Sequence, residues 1–134
     1  MADAIPNDEH TPVFSVDSLI KYMGDDDKAR AIVAKIVRDA CAPGREPLDQ
    51  VIAAMQQGRQ ADAGRIFHVL RGSIGSLGAK RFVYAALAFE TALSEQRTAD
   101  FASLQARAEE EYLRVLLHAQ RWLAAYEGAD GAPT

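Results

Sequence analysis

Most of the chain's chemistry is concentrated in residues 65–79, Arg-Ile-Phe-His-Val-Leu-Arg-Gly-Ser-Ile-Gly-Ser-Leu-Gly-Ala. His68 stands near the front of this stretch. An uncharged imidazole is a good nucleophile near neutral pH, and a common metal ligand as well. Metal binding along a helix needs a second ligand one turn away, and those positions hold Arg71 and Gly72. His10 and His118 have no second ligand close in sequence either, so no metal is expected. His68 is instead followed by a cation at i+3 and by glycines at 72, 75 and 78. A lone histidine beside an arginine is also what an ordinary solvated surface looks like. The glycines separate the two readings.

At about 100° per residue, Ala63, Phe67, Leu70, Ile74 and Leu77 gather on one side of a helix and form its core stripe. His68 falls roughly opposite, with Gly72 and Gly75 within about 40° of it and Arg71 about 60° away. Each interior glycine costs a helix about 1 kcal/mol relative to alanine. Either a neighbouring helix packs closely on these glycines, or they clear room beside His68 for the surface of another molecule.

The surrounding elements all read as helices. A short one is expected over roughly 15–22, ended by Gly24. Asp25, Asp26 and Asp27 then make a good helix start, because carboxylates accept from free N–H groups and suit the positive end of the helix dipole. Ala29, Ile32, Val33, Ile36, Val37 and Ala40 follow at helical spacing, and Leu48, Val51, Ile52 and Met55 continue it beyond Pro43, Gly44 and Pro47. A kinked long helix or two stacked pieces is expected there, closed by Gly58. Further helices are expected at about 60–76, 80–96 and 99–126, the first ending near Gly78 as a left-handed cap. No segment shows sustained period-two alternation. Short links between long amphipathic helices favour an all-α, up-down antiparallel four-helix bundle with a short extra N-terminal helix. Residues 1–12 read as a flexible leader, 13–126 as the bundle and 127–134 as a flexible tail.

Composition narrows the function. The 134 residues fit one domain, and an apolar fraction of 49% is ordinary for a globular protein. A net charge of −4 and a pI near 5.3 give no nucleic-acid footprint. Cys41 is the only cysteine, which excludes an intramolecular disulfide and a multi-cysteine zinc site. No run approaches the roughly 20 apolar residues of a membrane span, and residues 1–11 hold no stretch of signal-peptide type. A soluble cytoplasmic protein is expected, although an excised domain of a larger membrane sensor would look the same. No glycine-rich phosphate loop is present, so an ATP-using kinase is not expected.

The segment around His68 resembles the signature of histidine phosphotransfer (HPt) domains, H-x-x-K-G-x-x-x-x-x-G within a helical hairpin. His68, Gly72 and Gly78 stand at its spacings, and Arg71 takes the place usually held by lysine. Ser73, Gly75 and Ala79 match the small-residue surroundings, and a weaker likeness runs over roughly 15–126. The resemblance implies a phosphoryl carrier: His68 accepts the group at Nε2 from an aspartyl phosphate of a receiver domain and passes it to another receiver. The partners would be receivers of response regulators or hybrid histidine kinases. The chain itself would need no cofactor, since Mg²⁺ is held by the receiver, and it would work as a monomer without membrane or nucleic acid. Arg71 would neutralise the added charge, with a planar fork in place of a compact ammonium. Glu90 matches the family position that hydrogen-bonds the histidine's Nδ1–H, or is simply an exposed helix residue. Ser73 would donate to a phosphoryl oxygen or to a backbone carbonyl, and Gly72, Gly75 and Gly78 would line the binding face. The alternative is an HPt-fold module that carries no phosphate and sequesters a receiver or another signalling protein.

Overall fold

A computed structural model describes the backbone of residues 11–130 and the side chains of 11–128. Residues 1–10, which hold most of the expected leader and His10, and 131–134 of the expected tail lie outside the described part. Every regular element described is helical: α1 Asp17–Tyr22, α2 Asp27–Cys41, α3 Glu46–Gln56, α4 Gln60–Gly75, α5 Lys80–Ser94 and α6 Phe101–Asp130, the last preceded by a 3₁₀ turn at Thr98–Asp100. Of the three aspartates expected to start α2, Asp26 is the cap, its side chain accepting from Ala29 N at 2.8 Å.

The proline-rich interruption resolves into two helices. Residues 42–45 form a turn with Gly44 at φ +59°. Pro47 then sits in the first turn of α3, where a missing N–H costs nothing. The two pieces divide their packing, α2 lying mainly against α6 and α3 against α4. With α4 on α5 and α5 on α6, this completes the bundle, and α1 rests on α2.

The core stripe of α4 is Ala63, Phe67, Leu70, Ile74 and, just beyond its end, Leu77, all buried. Phe67 stands at the centre, edge-on to Phe89 of α5 with ring centroids 5.5 Å apart and tilted against Phe82 at 6.1 Å. Phe82 continues to Tyr112 of α6 at 5.7 Å. Aromatic pairs in such orientations add to the stabilisation from burial alone. They fix α4 about its own axis, and so fix which of its residues point outward.

The segment before α1 also packs. Ser15 N donates to Leu77 O at 2.9 Å, Arg81 N donates to Pro12 O at 3.2 Å, and Phe14 lies against Trp122. No helix among the described residues is long and apolar enough to cross a membrane.

Candidate functional site

With Phe67 and Leu70 directed inward, the helical repeat turns His68 to solvent, and its side chain is 71% exposed. Glycines lie one turn away on each side. A Cβ added at Gly72 meets nothing within 4 Å, and one at Gly64 would only touch Leu93 Cδ1 at 3.5 Å. The remaining small residues of the segment have close neighbours of their own. A Cβ at Gly75 would stand 3.1 Å from Val83 Cγ2, so this glycine lets α5 approach α4. Gly78 has φ +70°, and a Cβ there would lie 2.1 Å from the Ser15 carbonyl oxygen. Ser73 Oγ donates to Leu70 O at 3.5 Å. Both explanations of the glycines therefore hold, at different positions: Gly72 leaves open space beside His68, while Gly75 and Gly78 accommodate neighbouring chain.

Arg71, Glu90 and His68 meet where α4 and α5 face each other. The Arg71 guanidinium grips the Glu90 carboxylate with two bonds, Nε to Oε2 at 2.5 Å and Nη2 to Oε1 at 3.0 Å. Its Nη2 is also 2.9 Å from His68 Nδ1. Glu90 Oε1 is farther from that nitrogen, at 3.5 Å. The Arg71 and Glu90 side chains are only 24% and 15% exposed, so the pair is partly shielded from water. Hydrogen bonding to Glu90 pushes the Arg71 pKa above its ordinary value, outweighing burial. Arg71 is thus a fixed cation, anchored at one end and touching the imidazole at the other. Of the two roles expected for Glu90, partner of the imidazole or exposed helix residue, its side chain is mostly shielded and lies 3.5 Å from Nδ1, with Arg71 the nearer neighbour of the ring.

Two grooves flank the histidine. One, of about 450 Å³, runs between the first half of α4 and the end of α5 past Gly64, Arg65, Glu90 and Gln96. The other, of about 570 Å³, lies between α4 and the α2–α3 turn, with Pro43, Pro47, Ile66 and Val69 in its wall and Ser73 at its edge. Val69 is 62% exposed and Leu87, one turn before Glu90, is 44% exposed, so apolar side chains are available on both helices of the face. Arg65 lines both grooves and is held by Asp62 at 2.9 Å. Gly64 and Arg65 are not among the site residues expected from the sequence, although Gly64 and Gly72 stand four residues before and four after His68. Among the described residues no group of His, Cys, Asp and Glu is placed to hold a metal ion.

The surface of α4 thus carries an exposed imidazole, with a cation at its side and open space at Gly72 one turn away. A comparison with protein families matches the Hpt domain over residues 35–125, more than half of the chain and inclusive of all three side chains. Comparisons with curated proteins and with solved structures give no match.

Proposed function

Because the chain belongs to the Hpt domain family of histidine phosphotransfer in phosphorelays, we propose that His68 is its phosphoryl acceptor and donor, serving receiver domains on either side of a relay. In the forward step the Nε2 lone pair forms a bond to phosphorus while the aspartyl O–P bond of the first receiver breaks, its electron pair leaving on the carboxylate. The same exchange in reverse delivers the group to the aspartate of a second receiver. There is little for the protein to do beyond positioning and charge stabilisation. Helix α4 supplies the position, Arg71 the charge, and Mg²⁺ comes with the receiver. His68, Arg71 and Glu90 belong to two helices of one bundle, so the step needs no second copy of the chain.

One observation carries this reading: the exposed His68 beside the open face at Gly72. A bulky receiver must bring its aspartyl phosphate in line with Nε2, and any side chain at 72 would stand in its path. Val69, in the wall of one groove, and Leu87 on α5 offer exposed apolar side chains for the buried centre of such a contact.

A second reading, the HPt-fold module that binds a receiver without carrying phosphate, draws support from the contact between Arg71 and His68 Nδ1. An arginine there opposes the protonation state that attack from Nε2 needs.

The deciding experiment is incubation of the purified chain with a phosphorylated receiver and Mg²⁺, followed by assay for an alkali-stable, acid-labile label. The native chain is expected to be labelled. His68→Gln is expected to be unlabelled with unchanged helical circular dichroism. A folded native chain that takes no label from several receivers would remove the carrier reading and leave the binding module as the alternative.

A further inference from the structure

The geometry points to a second role for Arg71, as a latch that sets the His68 tautomer and must open before phosphoryl transfer; this inference rests on the phosphocarrier reading. A guanidinium has five N–H donors and no acceptor, and it stays charged at any ordinary pH. At 2.9 Å from Arg71 Nη2, His68 Nδ1 therefore accepts. The proton of the neutral ring then resides on Nε2, whose electron pair belongs to the aromatic system. In that state Nε2 cannot attack phosphorus.

The structure also supplies the means of opening. Glu90 Oε1 lies 3.5 Å from Nδ1, behind the guanidinium that now occupies it. If Arg71 withdraws, this carboxylate becomes the nearest acceptor for an Nδ1–H. The imidazole is exposed, so it can lose its Nε2 proton to water and take one at Nδ1 without a dedicated relay. Nε2 then has its in-plane lone pair free.

A phosphoryl group drives the exchange. Its oxygens carry more negative charge than one carboxylate and match the planar fork of arginine, so they compete with Glu90 for Arg71. Once the N–P bond has formed with Nδ1 still protonated, the ring is cationic and the phosphoryl group anionic. Glu90 then pairs with Nδ1–H and Arg71 with the phosphoryl oxygens. Each charge that is paired in the resting site is paired again in the phosphorylated one. The carboxylate is thus the shared partner: it holds Arg71 at rest and the imidazole afterwards. Glu90 is a positioning residue in both states.

The test is the tautomer itself, read by long-range ¹H–¹⁵N correlation of the histidine rings on the alkaline side of imidazole titration, with His68 signals assigned from their loss in His68→Gln. In the native chain the neutral ring is expected almost wholly as the Nε2–H form. In Arg71→Ala the balance is expected to reverse toward Nδ1–H, and in Arg71→Ala/Glu90→Ala to return to the mixture of a free imidazole. A native ring protonated at Nδ1 would overturn the latch without any variant being needed. So would an unchanged tautomer in a folded Arg71→Ala chain. The two readings fail separately. Label on His68 with an Nδ1–H resting ring removes only the latch; absence of label with an Nε2–H ring removes the carrier and leaves Arg71 as what holds the ring inert.

Discussion

Gly72 and Gly75 stand three residues apart in one helix and look alike in the sequence, yet they predict different experiments. Nothing occupies the space a side chain at 72 would fill, whereas one at 75 runs into Val83. Gly72→Gln should therefore raise stability by about 0.5–1 kcal/mol, the propensity gain of replacing an exposed helix glycine. The same substitution should slow phosphoryl transfer by at least tenfold, because the new side chain stands over the approach to His68. A urea melt and a single-turnover transfer assay on one preparation check both. Normal transfer by a folded Gly72→Gln would remove the argument that this glycine keeps the face clear. At this scale the sequence showed which residues would be outward, since helical angles alone place His68 opposite Phe67. It did not show which neighbour each side chain meets. Arg71 and Glu90 stand 19 positions apart, and nothing in that spacing signals that the two side chains join. That contact depends on how far α5 slides along α4, which Gly75 and the Phe67 ring contacts determine.

At the scale of elements, Gly78 does more than end α4. Its left-handed φ lets the chain turn into α5, and its lack of a Cβ lets the Ser15 carbonyl come close, beside the bond from Ser15 N to Leu77 O. An L-residue pays about 1–2 kcal/mol for the left-handed conformation alone. The overlap with Ser15 adds the cost of lifting the segment before α1 off the bundle. Gly78→Ala is expected to lose about 2–4 kcal/mol in chemical denaturation. Phe14 of the same segment lies against Trp122, the single tryptophan, so native-state fluorescence should change as well. Loss of stability with unaltered Trp122 emission would mean that the turn is strained while the segment stays in place. Helix boundaries were mostly legible, because caps and glycines are local signals: 60–76 was expected and Gln60–Gly75 observed, 80–96 was expected and Lys80–Ser94 observed. The turn at 42–45 was legible only as an alternative to a kink. Prolines mark the break, but the separate partners of α2 and α3 are a tertiary fact.

Across the whole molecule, buried polar groups on α6 connect parts of the chain that helical periodicity leaves unrelated. Glu111 is 1% exposed and pairs with Arg81 of α5 at 2.9 Å and with Arg107 at 3.2 Å. In the sequence it is one of three consecutive glutamates, and nothing there distinguishes the buried one. Tyr112, next to it, is fully buried, and its hydroxyl donates to Gly44 O at 2.7 Å and so ties α6 to the turn between α2 and α3. Burial, with a smaller effect from Cys41, pushes its pKa up to about 12. An unfolded tyrosine ionises near pH 10. The folded state therefore binds this proton more tightly, and its contribution is complete below about pH 10. It is lost as pH rises toward 12, because the unfolded chain gains the free energy of ionisation before the folded one can. Tyr112→Phe keeps the ring and lacks both the hydrogen bond and the titration. At about pH 8 the variant should be less stable than the native chain by about 1 kcal/mol, the net worth of one hydrogen bond. Near pH 11 that gap should close by about 1 kcal/mol, while titration of other groups, common to both proteins, cancels in the difference. Paired urea melts at the two pH values measure it. A gap that stays constant would show that Tyr112 ionises as easily in the bundle as in the unfolded chain, and that its tie to the α2–α3 turn is exposed to water.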